Sequence, residues 1–330
     1  MSKENEINKY LDYLTDEINV FFDKQKNEVD VESIYFWWWT PSLLSVEQIS
    51  RIINVFETKW NLSSTTEITL ECNPENLSSE YLEELSTTKI NRLSIWIQSL
   101  NENTLREIWR SNKTTIINAL ENIYKTKYNN VWVDFIIWLP HENKLWVSTN
   151  IKEVLEKYDF IKHISVYFLE WNYPEKWREL WLREEEYLDE YIGVKNSLEK
   201  LEINRYEISN FAKKWYKCKH NKSYWNHSEY RWFWVSAASF IADKRFSNSS
   251  NFIDYYNGKL WFEEVLDKEQ IQLEKLMFGI RTIWIDINKI KNTKKMDELI
   301  KDSLIKIKSN KIILTNKWIL ISDYILKELI

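Results

Sequence analysis

The chain has 330 residues, a net charge of −5 and 44% apolar residues. That balance leaves no electrostatic footprint for a nucleic-acid partner, and no apolar run is long enough to span a bilayer or reads as a secretory leader. Two cysteines, Cys72 and Cys218, do not make a disulfide framework, so the chain is expected to be cytoplasmic, with one large domain and one small one.

The counts hold one anomaly. There are 19 Trp and 3 Gly, 22 together, where an average chain of this length has about 23 Gly. Two readings are open. The protein is rich in tryptophan, or most Trp letters stand where the organism places glycine. Some bacterial lineages read the codon UGA as glycine, and a common alternative table reads it as tryptophan. The positions of the tryptophans favour the second reading.

Residues 1–22 read as a helix. Ser33–Phe36 is a short strand that runs into Trp37-Trp38-Trp39-Thr40-Pro41-Ser42, a strand-to-helix turn where the sharp bend calls for small residues. Ser45-Val46-Glu47-Gln48 is a capping box, and Ile49, Ile52, Ile53 and Phe56 follow at helical spacing. That predicts a helix over 46–58, with Trp60 at the position after the helix end where left-handed backbone favours glycine. Further strands are predicted at 67–71, 92–97, 131–137, 163–168 and 205–208, with helices at 79–86, 115–126, 150–157 and 184–201. Near-continuous apolar strands separated by helices predict a parallel sheet covered on both faces. Six of them predict an incomplete (β/α)6 barrel.

Trp96 and Trp138 fall at the ends of strands, and Trp232 and Trp234 flank Phe233 as in Gly-x-Gly. From 262 onward, helical segments lead to a hairpin at 311–321 and a last helix, which predicts a small winged-helix-like domain. Trp318 takes the bulge-glycine position of that hairpin. The expected divisions are 1–210, 211–261 and 262–330. Twelve positions read as glycine: Trp37, Trp38, Trp39, Trp96, Trp109, Trp138, Trp171, Trp215, Trp232, Trp234, Trp284 and Trp318. Trp225, beside Tyr224 and without a turn signal, reads as a genuine indole. Trp146 and Trp177 stay undecided.

Chemistry in parallel barrels sits at the carboxyl ends of the strands. There the sequence places Thr40 and Ser42, then Glu71, Gln98 and Asp134, with Arg110 on the segment after the third strand. Each alone reads as a cap or a structural pair. Jointly they could hold a zwitterionic or ribose-bearing ligand through charged hydrogen bonds. A cluster-free enzyme using Glu71 and Asp134 as an acid–base pair is a competing reading.

With glycine at the suspect positions, residues 33–44 become SIYFGGGTPSLL, and later segments become LSIGIQS, EIGRSN, DFIIGLP and YRGFGVSA. The set resembles the radical S-adenosylmethionine family of oxygen-independent coproporphyrinogen III oxidases and their heme-chaperone relatives, over nearly the whole chain. The resemblance implies an α/β radical-SAM barrel lacking its first strand. It places Trp38, Trp39 and Thr40 at the methionine part of S-adenosylmethionine, with Glu71, Gln98, Arg110 and Asp134 completing that site. Asp134 suits the ribose hydroxyls, since a carboxylate accepts two hydrogen bonds.

The family also implies a [4Fe–4S] cluster on a CxxxCxxC triplet. Cys72 and Cys218 lack that spacing, so no metal ligand is assigned. Residues 1–22 resemble the helix that follows the family's cysteine loop, which predicts a triplet encoded upstream of Met1.

His220-Asn221-Lys222-Ser223-Tyr224-Trp225 resembles the chaperone branch. An imidazole is a natural axial ligand for heme iron, and Tyr224 and Trp225 offer flat faces to a porphyrin. Read alone, His220 is better taken as a structural histidine beside a cysteine, and it is the resemblance that turns the reading to heme contact. The resemblance implies a protein that binds heme and S-adenosylmethionine and delivers heme to respiratory acceptor proteins, with peripheral membrane contact. The alternative is oxidative decarboxylation of coproporphyrinogen III. No catalytic residue is assigned.

Overall fold

The computed structural model describes residues 3–25, 30–37, 40–60, 62–143, 145–169, 184–282, 284–287 and 293–315. Trp38, Trp39, Trp171, Trp177, the turn expected at Trp318 and the last helix lie outside them. The chain forms two compact units. A sheet unit comprises residues 35–43, 67–218 and 279–330, and a helix–hairpin unit comprises 1–34, 44–66 and 219–278. These units cut across the three consecutive segments expected from the sequence.

The strands of the central sheet are β1 (Ser33–Phe36), β2 (Glu67–Cys72), β3 (Arg92–Gln98), β4 (Val131–Ile137), β5 (Ile161–Phe168), β6 (Asn204–Arg205) and β7 (Asn210–Ala212), in the order β1-β2-β3-β4-β5-β7-β6. β2 through β5 pair in parallel, so the α/β, mostly parallel expectation holds. The sixth strand expected at 205–208 is different. β7 pairs antiparallel with β5 and β6 antiparallel with β7. The Ser209 N–H donates to the Glu207 carboxylate at 3.1 Å and the Tyr206 N–H to the Asn210 carbonyl at 3.0 Å. These local bonds reverse the chain, so the sheet ends in a hairpin rather than another parallel strand.

The connecting helices of this unit are α3 (Ser79–Leu85), α4 (Glu102–Glu107), α5 (Lys113–Tyr124), α6 (Trp146–Lys157) and α7 (Glu184–Lys200), and α6 and α7 pack on β4. Side chains alternate along a strand, and the two faces differ in kind. Leu70, Leu93, Ile95, Val131, Val133 and Phe135 are fully buried on one face, each worth roughly 1.5–3 kcal/mol of apolar burial. The other face is buried and polar: Glu67, Thr69 and Glu71 on β2, Arg92 and Ser94 on β3, Asp134 on β4, His163 and Ser165 on β5. Arg92 is wholly buried; it pairs with Glu67 at 3.1 Å and donates to the Tyr216 carbonyl at 3.1 Å. The strands are thus buried on both faces but apolar on only one.

The carboxyl-terminal part of this unit holds a three-stranded antiparallel sheet in the order β11-β13-β12, from β11 (Trp284–Asp286), β12 (Ile305–Lys308) and β13 (Lys311–Leu314), with α11 (Thr293–Lys301) against β12. Ser309 and Asn310 join β12 to β13 with φ of 50° and 63°, as a type I′ hairpin turn requires. This hairpin precedes the one expected at 311–321, whose turn and second strand lie outside the described residues.

In the helix–hairpin unit, α1 (Lys3–Asp23) buries Leu11, Leu14, Ile18 and Phe22, and α2 (Val46–Lys59) buries Ile49, Ile52, Ile53 and Phe56. The two helices pack together, with the Phe22 and Phe56 rings 5.5 Å apart. The capping box forms as expected: Ser45 and Gln48 bond reciprocally through side chain and backbone. Trp60, however, is extended at φ −142°, not left-handed. Its indole is buried 4.6 Å from the Phe22 ring, so an apolar contact ends this helix without a left-handed residue.

The rest of this unit is α8 (Lys219–Trp225), the antiparallel sheet β10-β9-β8 formed by β8 (Ala238–Ile241), β9 (Lys244–Asn248) and β10 (Leu260–Val265), α9 (Phe252–Tyr256) and α10 (Lys268–Arg281). Glu17 ties it together, bonding Arg231 at 2.5 Å, Tyr255 at 2.7 Å and Asn248 at 2.8 Å.

Among the described tryptophans, Trp109 and Trp138 have left-handed backbone, with φ of 58° and 78°. Trp96, Trp232 and Trp234 do not. Trp109 is 93% exposed. The buried indole N–H groups of Trp138, Trp146 and Trp234 have no acceptor. Among the described residues no helix is long and apolar enough to cross a membrane.

Candidate functional site

The polar face of the sheet unit gathers most of the predicted strand-end residues. Glu71 ends β2 nearly buried, and its Oε1 accepts from the Tyr35 hydroxyl at 2.8 Å. Its Oε2 is buried with no partner among the described residues. Loss of water pushes the Glu71 carboxyl up to about 8, with the Asp134 charge adding to the rise. Asp134 is also buried and is pushed up to about 6 by desolvation, against the pull of backbone N–H groups and of Arg110. Those N–H groups belong to Ile97, at 2.7 Å, and Gln98, at 3.3 Å, both donating to Asp134 Oδ1.

Two successive amides reach one oxygen because β3 slips register between Ile95 and Gln98 and turns left-handed at Gln98, φ 64°. The Gln98 side chain then accepts from Arg110 Nε at 3.0 Å, and the Arg110 guanidinium stands 5.2 Å from the centre of the Trp96 ring. Asp134, Gln98 and Arg110 therefore form one hydrogen-bonded group, and Glu71 feels it through the Asp134 charge.

The turn after β1 is tied to the same strand ends. Asn73, two residues beyond Glu71, donates through its side chain to Thr40 Oγ1 at 3.3 Å and through its N–H to Ser42 Oγ at 3.2 Å. Thr40 takes φ 57°, a left-handed conformation that marks the tight bend read from the sequence. Trp37 is half-exposed.

Sequence reasoning missed Tyr35, Tyr167 and Glu142. Tyr35 and Tyr167 share the polar face with Glu71, a fact that strand alternation alone could have supplied. Glu142 accepts from Ser99 Oγ at 2.5 Å, and burial pushes it up to about 8. It borders a small cavity with Ile137, Trp138 and Glu190. Its position in a loop after β4 carried no periodic signal.

The cysteines lie apart in function. Cys72 is buried on the apolar side of β2, its thiol pushed up by desolvation. Cys218 points its thiol at Glu67 Oε1, 3.4 Å away. Among the described residues no three His, Cys, Asp or Glu side chains stand together as a metal site. The residues present do not fit a [4Fe–4S] cluster.

In the helix–hairpin unit, α8 carries the HNxxYW pattern. Spacing of four residues stacks His220 over Tyr224 and Asn221 over Trp225. The His220 ring meets Tyr224 edge-on at 5.0 Å and Trp232 edge-on at 5.2 Å. The Trp232 indole N–H donates to the Tyr224 hydroxyl. Burial pushes the His220 imidazole down to about 4, so it is neutral at pH 7. Trp232 thus joins His220 and Tyr224, Tyr230 stands 4.5 Å from the Tyr224 ring, and the Trp225 ring lies 6.1 Å from Phe278. Trp232 was one of the positions read as glycine, and in this sequence its indole closes the cluster.

The chain matches the radical SAM superfamily over residues 3–166. It is 28% identical to the heme chaperone HemW of Lactococcus lactis over 288 residues, which cover 83% of this chain and 74% of that protein. It is 32% identical to HemW of Buchnera aphidicola subsp. Schizaphis graminum over 260 residues, covering 76% of this chain and 68% of that one. Among solved structures, coproporphyrinogen III oxidase HemN of Escherichia coli, a radical SAM enzyme, matches all of this chain and 84% of its own with a TM-score of 0.78. At 19% identity, that likeness speaks for the fold alone.

Proposed function

The chain belongs to the radical SAM superfamily, and from that premise we propose that it is a heme chaperone that also binds S-adenosylmethionine. The observation that supports heme binding is the His220 imidazole, kept neutral by burial and facing the Tyr224 ring one helical turn on. A neutral imidazole has a lone pair to offer iron. Asn221 and Trp225 complete the segment, and heme is its cargo.

The buried, unpartnered Oε2 of Glu71 supports the nucleoside site. S-adenosylmethionine brings an ammonium, a sulfonium and a ribose diol. Glu71 suits a cationic group, Asp134 the diol, and Gln98 with Arg110 the remaining polar edge. Trp38, Trp39 and Thr40 would line the methionine end. A superfamily [4Fe–4S] cluster has no thiolate set among these 330 residues, which hold two cysteines. Cytoplasmic residence, respiratory acceptor proteins and peripheral membrane contact belong to the same proposal, as does the division of the chain at about 210 and 261.

Heme titration followed at the Soret band is the test. Saturable binding without conversion of coproporphyrinogen III is expected. Robust decarboxylation of coproporphyrinogen would move the protein to the oxidase branch, and absence of a Soret shift would remove the heme reading.

A further inference from the structure

Glu71 offers a ligand two oxygens that are not equivalent. Oε1 is taken by the Tyr35 hydroxyl at 2.8 Å, and Oε2 is buried with no partner among the described residues, on a residue 7% exposed. Buried polar oxygens are nearly always bonded, so an oxygen kept bare at a strand end marks a place where something else completes it. The geometry points to Tyr35 as a positioning residue of the nucleoside site: by occupying Oε1 it leaves Oε2 as the single acceptor presented to a cationic group, the ammonium of an α-amino-acid moiety. This rests on the S-adenosylmethionine reading given above.

The surroundings agree. Burial keeps the Tyr35 hydroxyl protonated, well above its usual range, so it stays a donor. The groups whose charges bear on Glu71 and Tyr35 are Asp134 from β4, Tyr167 from β5, Cys218 after β7, and Cys72 beside Glu71 on β2. Arg110 acts on Asp134. None of these is a cation bonded to Glu71, and among the described residues the hydrogen bond holding its carboxyl down comes from Tyr35. At pH 7 the free protein therefore holds a proton on Glu71, and with Oε1 accepting from Tyr35 that proton sits on Oε2. An incoming ammonium takes its place, and the proton leaves to solvent.

The first arm of the test needs no ligand. In the full chain, infrared titration should show a protonated-carboxyl band with a midpoint near 8, assigned by its loss in Glu71→Gln. Tyr35→Phe removes the hydroxyl and keeps the ring, so folding is retained. The band should then move to higher wavenumber and its midpoint should rise, because the lost hydrogen bond favoured the carboxylate. A packing role alone would move neither, and an unchanged band and midpoint overturn the inference.

The second arm is calorimetry with S-adenosylmethionine in two buffers of different ionisation enthalpy, in the full chain carrying Trp37→Gly, Trp38→Gly and Trp39→Gly. Proton release is expected, abolished by Glu71→Gln, with affinity roughly tenfold weaker in Tyr35→Phe. Equal affinity and equal proton release in Tyr35→Phe overturn the positioning role. If no variant binds the nucleoside while the infrared shift is present, the nucleoside reading fails and the Tyr35–Glu71 geometry stands.

Discussion

The strand-end site and the His220 segment solve one problem by opposite constructions. The first is assembled from Tyr35, Glu71, Gln98 and Asp134, residues spread over a hundred positions and brought together by sheet pairing. The second is one short helix and the loop behind it, with His220, Tyr224 and Trp232 within a dozen positions. In both, burial sets the charge. It lifts Glu71 to about 8 and drops His220 to about 4, so each group is held neutral near pH 7. Desolvation disfavours charge of either sign, and that single cause readies an acid for a cation and a base for a metal.

The difference in construction predicts a difference in fragility. The sheet site depends on the buried Arg92–Glu67 pair farther down the same polar face. Arg92→Met should strand the Glu67 carboxylate in the sheet and cost about 3–5 kcal/mol in urea unfolding. A loss under ~1 kcal/mol would show that the polar face is not under tension. His220→Ala should leave stability nearly untouched and act on ligand instead. If the imidazole ligates iron, heme affinity should fall roughly 10²-fold or more, equivalent to about 3 kcal/mol. Unchanged affinity and an unchanged Soret band would take His220 out of the site.

The pH responses should have opposite signs. Glu71 has its folded pKa raised to about 8 from an ordinary 4.5, so its stabilising contribution is complete below pH 4.5 and lost as pH rises through 8. His220 is depressed to about 4 from 6.5, so its contribution is complete above pH 6.5 and lost as pH falls through 4. Each should tilt unfolding free energy by up to about 1.4 kcal/mol per pH unit within its window. Glu71→Gln should flatten the slope between pH 5 and 8 only, and His220→Gln the slope between 4 and 6.5 only. Thermal melts across pH 4–8.5 read both.

The smallest effects concern the tryptophans. Trp109 is left-handed and 93% exposed, so Trp109→Gly should relieve about 1–2 kcal/mol of backbone strain and forfeit no burial. Trp138→Gly should relieve the same strain and remove a buried indole N–H that has no acceptor among the described residues, against the loss of its packing on Leu139, Leu169 and Tyr187. Trp225→Gly, inside α8, should destabilise by about 1 kcal/mol. Peptide mass spectrometry of protein from the native organism should find glycine at 109 and 138 and tryptophan at 225. Tryptophan at all three would end the reassigned-codon reading.

These two regions also show what a sequence discloses. The parallel strands and their helices were legible because apolar runs and a capping box are local signals. The acids at the strand ends were legible because parallel sheets put chemistry there. Tyr35 was half hidden: alternation puts it on the polar face, but nothing in SIYF says that its hydroxyl crosses to the neighbouring strand. The reversal at Glu207–Asn210 was hidden too, because two side-chain and backbone bonds decide it over any periodicity. Around His220 the motif was legible and the aromatic partner of its imidazole was not. Spacing of four pairs Trp225 with Asn221, and only the folded loop brings Trp232 to the imidazole. Trp60 misled for a related reason, since tertiary packing against Phe22 overrode the usual helix ending.

Gln98 sits at φ 64°, where glycine would be more comfortable. Its side chain alone carries the contact to Arg110, and its strained amide is one of the two that grip Asp134. A library of variants selected only for heat resistance should therefore drift toward glycine at 98, keeping the fold and shedding the side-chain arm that holds the guanidinium. Position 98 is where selection for durability and selection for binding should part company.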